Sequence, residues 1–259
     1  MWSSKPAGTR SALGPSTPLG PADLPPTVVI IPTYNEIANL ARIAVEVLGL
    51  SPSISLVIVD DASPDGTGRE ADRLAASLRR VTVMHRRGKL GLGSAYRQAF
   101  KAVLQSTDAE LICQMDADFS HRPADLMKIL NEARNGAGDV VVGARYVRGA
   151  CVQNWSRRRK LLSRAGNLYA RWITGMPQSD LTGGMKCWRR KVLEAIDLDA
   201  VTTEGYGFQI GMCWQVWRSG FAVYEVPITF VERAHGASKM SWSIVCEAIL
   251  LPWTLRFGG

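Results

Sequence analysis

The stretch ELICQMDADFSHRP, residues 110–123, decides how this chain is read. Leu111 to Met115 and Ala117 favour burial, yet they run straight into Asp116 and Asp118. Acids often terminate strands or cap helices, so a purely structural role is open at this point. The other reading is a buried strand that aims two carboxylates at one ligand. Side chains two apart in an extended segment share a face, with their Cα atoms roughly 6 to 7 Å apart. Carboxylates so placed can approach one hard cation, and oxygen-only donors favour Mg²⁺ or Mn²⁺ over zinc.

Outward from that stretch, short apolar runs alternate with helical patterns. TVVIIPT, SLVIVDD, VTVMH, ELICQMD and DVVVGAR read as strands. EIANLARIAVEVLGL, GREADRLAASLRR and SAYRQAFKAVLQ read as helices between them. Strands alternating with helices of this length predict βαβ units, an α/β fold class and a mostly parallel sheet flanked by helices. Ligands of such sheets lie beyond the carboxyl ends of the strands. Those ends carry Pro32, Tyr34, Asn35 and Glu36, then Asp60 and Asp61, then Asp116 and Asp118, then Arg145. Polar residues therefore collect along one edge.

The chain has 259 residues, enough for one large α/β domain or two small ones. It carries 31 Lys and Arg against 23 Asp and Glu, which predicts an anionic partner. Nucleic acid would call for aromatics interleaved with basic residues or a recognised fold signature, and neither is visible. The five cysteines are odd in number, widely spaced and without C-x-x-C, which argues against a disulfide framework or a zinc site. They read as reduced residues of a cytoplasmic protein. His85, His121 and His235 lack metal-ligand spacing and receive no role. Residues 1–26, rich in Pro, Gly and Ser, read as a disordered tail without the apolar core of a signal peptide.

Seven ordered blocks carry a resemblance: VVIIPTYNE, VIVDDASPDGT, LGLGSAYRQAF, MDADFSHRP, VVGARY, SDLTGGMKCWRR and EVPITFVERAHGASKMS. Together they resemble the polyprenol-phosphate (dolichol-phosphate) mannose synthases, which are inverting family 2 glycosyltransferases with the Rossmann-like GT-A fold. The likeness covers about residues 27–245, with residues 27–240 as the catalytic domain. It implies GDP-mannose as donor, polyprenyl phosphate as acceptor, and Mg²⁺ or Mn²⁺ between Asp116 and Asp118. It implies nucleotide contacts at Pro32, Tyr34, Glu36, Val59 and Asp61, and diphosphate and metal contacts at Asp116, Ala117 and Asp118. Arg145, Arg233 and Lys239 would grip phosphates, as guanidinium and ammonium groups do. Glucosyl or N-acetylglucosaminyl transfer to the same lipid, or a silent nucleotide-sugar binder, stay open as alternatives. One departure leaves room for the last of these: Gly211 stands where the family carries an acid two residues after the Gln of F-Q, and loss of that acid could lower activity or alter specificity.

Two features stay ambiguous in the sequence. GKLGLGSAYRQAF lacks the spacing of G-x-G-x-x-G and of a phosphate loop, leaving either an anion-facing helix start or a plain loop leading into a helix. In residues 155–175, Leu161, Ala165, Leu168 and Trp172 form one stripe bordered by Arg157, Arg164 and Arg171. That stripe fits a helix in a membrane interface or a core-facing helix with a solvated edge. No run reaches the roughly 20 apolar residues of a membrane span. The expectation is peripheral attachment to the cytoplasmic face of a membrane, with the C-terminal segment 241–259 as a second interfacial element. The resemblance also implies membrane segments of the enzyme's own, as in some family members, or a membrane-anchoring partner protein, as in others.

Overall fold

The computed structural model describes residues 24–232 and 242–258; Arg233, His235 and Lys239 lie outside the described residues, as does residues 1–23 of the expected tail. The first half runs β1 (Thr27–Thr33), α1 (Ile37–Leu48), β2 (Ile54–Asp60), α2 (Thr67–Ser77), β3 (Val81–His85), α3 (Leu92–Ser106), β4 (Leu111–Gln114) and α4 (Pro123–Arg134). β5 (Val140–Ala144), β6 (Cys151–Val152), α5 (Arg157–Thr174), β7 (Lys186–Arg189) and α6 (Arg190–Ala195) follow. The chain continues through α7 (Gly205–Arg218), β8 (Val223–Pro227), β9 (Thr229–Phe230) and α8 (Trp242–Phe257).

Seven strands form one sheet in the order β3-β2-β1-β4-β7-β5-β8. β1 pairs in parallel with both β2 and β4, and β5 with β8; β7 alone runs antiparallel, between β4 and β5. The chain winds away from β1 on one side through β2 and β3, then returns to β1's other side at β4. That reversal between β1 and β4 is a topological switch point, where open α/β sheets bind ligands.

The unbroken apolar runs follow from burial on both faces of the sheet. Val29 and Ile31 of β1 pack with Leu40, Ile43 and Ala44 of α1 on one face. Val28 and Ile30 pack with Tyr96, Phe100 and Phe208 on the other. A third cluster joins Ala170 of α5, Ile210, Cys213 and Trp214 of α7, and Leu251 of α8. Cys113, Cys187 and Cys213 are buried free thiols, and Cys151 is exposed.

The segment 155–175 resolves its ambiguity here. α5 buries Asn167, Ala170, Ile173 and Thr174, whereas Leu161 (70% exposed), Leu168 (64%) and Trp172 (78%) face out. The apolar stripe is not the core-facing side. α8 lies alongside: the Tyr169 hydroxyl donates to Ile249 O at 2.8 Å, and Trp253 Nε1 donates to that hydroxyl at 2.9 Å. In the described part of α8, Leu251 is buried while Ile249, Leu250, Trp253 and Phe257 are exposed. Among the described residues no helix is long and apolar enough to cross a membrane.

Candidate active site

Three strand exits on either side of the switch point share a backbone device. Asn35 (φ 58°) follows Tyr34 after β1, Ala62 (φ 56°) follows Asp61 after β2, and Phe119 (φ 59°) follows Asp118 beyond β4. Non-glycine residues seldom adopt positive φ, and such strain gathers where side chains must be aimed. Each positive-φ residue turns the chain beyond its strand and leaves the residue before it at the rim of one cavity of about 310 Å³. Pro32, Tyr34, Glu36, Asp61, Asp116, Ala117, Asp118 and Arg145 all line that cavity. Val59 does not: its side chain is fully buried in the core beneath.

β4 stops at Gln114, so the two aspartates sit in the loop after the strand rather than on it. Asp118 is 5% exposed, and its Oδ1 accepts from Ser120 N at 3.0 Å and Ser120 Oγ at 2.5 Å. Asp116 has about a third of its side chain exposed, with His121 Nδ1 3.4 Å from its Oδ2. The Asp116 N–H donates to that same nitrogen at 3.3 Å. Among the described residues no group of three or more His, Cys, Asp and Glu converges as a metal cage. Two carboxylates on a cavity rim fit a hard cation that takes its remaining oxygens from ligand and water.

The cations differ in availability. Arg145 was expected to reach phosphate, but its Nε and Nη2 donate to the two carboxylate oxygens of Asp180, each at 2.7 Å, and Nη2 also reaches Thr182 Oγ1 at 2.7 Å. Both side chains are buried. Burial alone would lower the guanidinium pKa, and the Asp180 charge overcomes it and raises the value. Arg145 thus brings to the cavity wall a charge already matched by one carboxylate. Lys89 spreads its ammonium over the Tyr34 ring at 4.3 Å, and Arg159 lies 4.0 Å over Trp155 while pairing with Glu232. Lys89, Arg159 and Trp155 all line the cavity, and sequence reasoning missed them.

The glycine block has a specific explanation. Glu204 accepts from Gly93 N at 2.6 Å and Ser94 N at 3.0 Å, the first amides of α3. The anion at this helix start is the protein's own carboxylate. A Cβ on Gly91 would stand 2.4 Å from Glu204 Oε2, and one on Gly93 2.5 Å from Thr203 O. The glycines let residues 203–204 approach the backbone. Behind them, Arg86 Nη1 donates to Asp61 Oδ1 at 2.5 Å while Gly91 N donates to Asp61 Oδ2 at 3.1 Å.

Gly211 lies outside the cavity wall, on the side of α7 where a Cβ would stand 2.7 Å from Val201 Cγ1. A side chain there would first meet Val201 and then Thr203.

A mostly parallel sheet with acids at its switch point is the frame of the glycosyltransferases, and the chain belongs to glycosyl transferase family 2, whose model matches residues 28–197. It is a glycosyltransferase, and the GT-A architecture expected from the sequence is borne out. The chain is 48% identical over 233 residues to the polyprenol monophosphomannose synthase of Mycolicibacterium smegmatis, covering 89% of this chain and 87% of that one. It is 45% identical over 223 residues to the undecaprenyl-phosphate mannosyltransferase of Micrococcus luteus, covering 86% and 90%. A structure of glucosyl-3-phosphoglycerate synthase from Mycobacterium tuberculosis in complex with Mn²⁺, uridine diphosphate and glucosyl-3-phosphoglycerate superposes with TM-score 0.64 at 20% identity, over 90% of this chain and 80% of that one. At that identity the likeness speaks for the fold alone.

Proposed function

We propose that this protein transfers mannose, with inversion, from GDP-mannose to a polyprenyl phosphate. The observation that carries the reading is the gathering of Asp116, Asp118, Lys89 and Arg145 around one cavity at the switch point. It is supported by the names of two relatives at 48% and 45% identity.

In this reading Pro32, Tyr34, Glu36 and Asp61 hold the nucleotide, and Val59 bears on it only through its main chain. Asp116 and Asp118, with the Ala117 backbone between them, would hold Mg²⁺ or Mn²⁺, which when bound neutralises charge on the departing diphosphate. Arg145, Lys89, Arg159 and, by the family likeness, Arg233 and Lys239 supply further positive charge.

The acceptor needs no general base. A phosphate monoester has a second pKa of about 6 and is largely ionised near neutral pH. Its oxygen attacks the anomeric carbon, that bond forms as the bond to the diphosphate oxygen breaks, and no proton leaves the nucleophile. Positioning and charge stabilisation carry the rate. Glu204, bound to Gly93 and Ser94, serves as a clamp on the loop rather than as a base.

The lipid acceptor gives α5 and α8 a purpose. Their neighbouring exposed apolar residues, bordered by Arg157, Arg164 and Arg171, suit an interfacial surface on the cytoplasmic face of a membrane. Transfer of radiolabelled mannose from GDP-mannose to polyprenyl phosphate, with and without chelator, tests the proposal. Activity should stop with chelator and return with Mn²⁺ or Mg²⁺, and Asp116→Asn should lower turnover on the order of a hundredfold or more with the fold intact. Transfer of glucose or N-acetylglucosamine in place of mannose, or chelator-insensitive transfer, would overturn it.

A further inference from the structure

Lys186 opens β7 and is wholly buried, yet among the described residues no carboxylate receives its hydrogen bonds. Its ammonium donates to Gly183 O at 2.6 Å and to Gln209 Oε1. An ammonium has three donors and no acceptor, so of the two ends of the Gln209 amide only the oxygen can face it. Amide orientation is otherwise a matter of assignment; here the neighbour's chemistry dictates it. The Gln209 Nε2 is consequently turned away from Lys186.

Gln209 is 2% exposed and belongs to the cavity wall. Its Nε2 is buried and has no hydrogen-bond partner among the described residues. A buried N–H pair without an acceptor is unfavourable, and a native structure tolerates one where a ligand oxygen completes it. The adjacent cation also polarises the amide and strengthens it as a donor.

The strand order says which part of a ligand that oxygen belongs to. Asp61, after β2, and Tyr34, after β1, mark one end of the cavity; Asp116 and Asp118, after β4, mark its middle. β7 is the next strand, with Lys186 paired opposite Gln114 of β4. Gly184, just before β7, approaches so closely that a Cβ on it would stand 3.3 Å from Asp116 Oδ2. A nucleotide sugar is linear in the order base, diphosphate, sugar. With its base beside β2 and β1 and its diphosphate beside Asp116 and Asp118, its sugar falls at β7.

We propose that Gln209 donates a hydrogen bond to an oxygen of the transferred sugar, and that Lys186 is the positioning residue that keeps its N–H donors turned into the cavity. This rests on the reading that the cavity binds a nucleotide sugar. Gln209→Glu exchanges the cavity-facing donor for an acceptor and gives Lys186 an ion-pair partner, so it should fold. Lys186→Met removes the cation and frees the amide to turn.

The test is calorimetric titration of wild type and both variants, in the presence of Mn²⁺, with GDP-mannose and separately with GDP. Gln209→Glu should weaken GDP-mannose binding tenfold or more while GDP binding changes less than twofold. Lys186→Met should shift the same ratio in the same direction by a smaller factor. Thermal unfolding accompanies each titration, and if Gln209→Glu does not fold, Gln209→Met reads the same ratio with the donor removed. An unchanged ratio in a folded Gln209 variant overturns the inference, as does equal weakening of GDP and GDP-mannose. A wild type that prefers another nucleotide sugar overturns only the choice of donor, and the ratio is then read with that sugar and its diphosphate. A wild type that binds no nucleotide sugar overturns both.

Discussion

The carboxylate of Glu204 stands 2.6 Å from the backbone nitrogen of Gly93, joining the loop before α7 to the start of α3 across 111 positions of sequence. Ser94 N and Arg97 Nη2 donate to the same carboxylate. Burial raises the Glu204 pKa, and these donors, Gly93 foremost, offset only part of that rise. The folded protein therefore holds this proton more tightly than the unfolded chain does. The site's contribution is fully present below the unfolded pKa and declines as pH rises through the folded one. Glu204→Gln should gain stability relative to wild type between pH 4 and pH 7, read as the difference in urea midpoints at the two values. A difference that is flat with pH would contradict the account. Gly93→Ala, which drives a methyl to 2.5 Å from Thr203 O, should cost about 1–3 kcal/mol at either pH.

Asp180 carries the opposite sign. Burial would raise its pKa, but the Arg145 charge and hydrogen bonds overcome that and hold the carboxyl below its usual range. Its stabilisation is present above the unfolded pKa and is lost as pH falls through the folded one. Asp180→Asn leaves a buried guanidinium facing a neutral amide and should destabilise by about 3–5 kcal/mol. It should also flatten the acid limb of the stability curve below about pH 4, measured by chemical denaturation across that range. A loss confined to activity, with stability and acid limb unchanged, would show that the pair holds ligand rather than the loop.

The sequence carried the sheet and its acidic edge because both are local. β-branched runs write strands directly, and the residues that end them fall at the ligand-binding edge by topology alone. Side-chain pairings across long separations left no such trace. Arg145 reads as a free cation until Asp180, 35 positions on, proves to hold it. Nothing in the sequence singles out Lys186, and only the fold buries it against Gln209. β7 itself, with basic residues at both ends of Lys186–Arg189, has no strand-like pattern of its own. The α5 stripe was visible, but its direction was not. α5 meets the core through a polar Asn, a Thr and only two apolar residues, so the larger side chains point outward.

That outward direction yields the last expectation. α5 and α8 are joined through Tyr169, which accepts from Trp253 and donates to Ile249, so their exposed apolar residues stand on neighbouring helices. Leu161, Leu168 and Trp172 stand on one helix and Leu250, Trp253 and Phe257 on the other. An apolar face with an arginine border inserts into the headgroup region, and anionic lipid strengthens it electrostatically. The full-length protein should float with liposomes containing anionic lipid, and less with neutral ones or at high salt. Leu161→Glu with Trp172→Glu should lower flotation about tenfold or more, since each change puts a charge where an apolar side chain would be buried. Neither residue lines the cavity, so transfer to a short-chain, water-soluble phosphate acceptor should be unchanged. Flotation that survives the double substitution would mean that this face does not meet the bilayer, because no other process in the assay requires it.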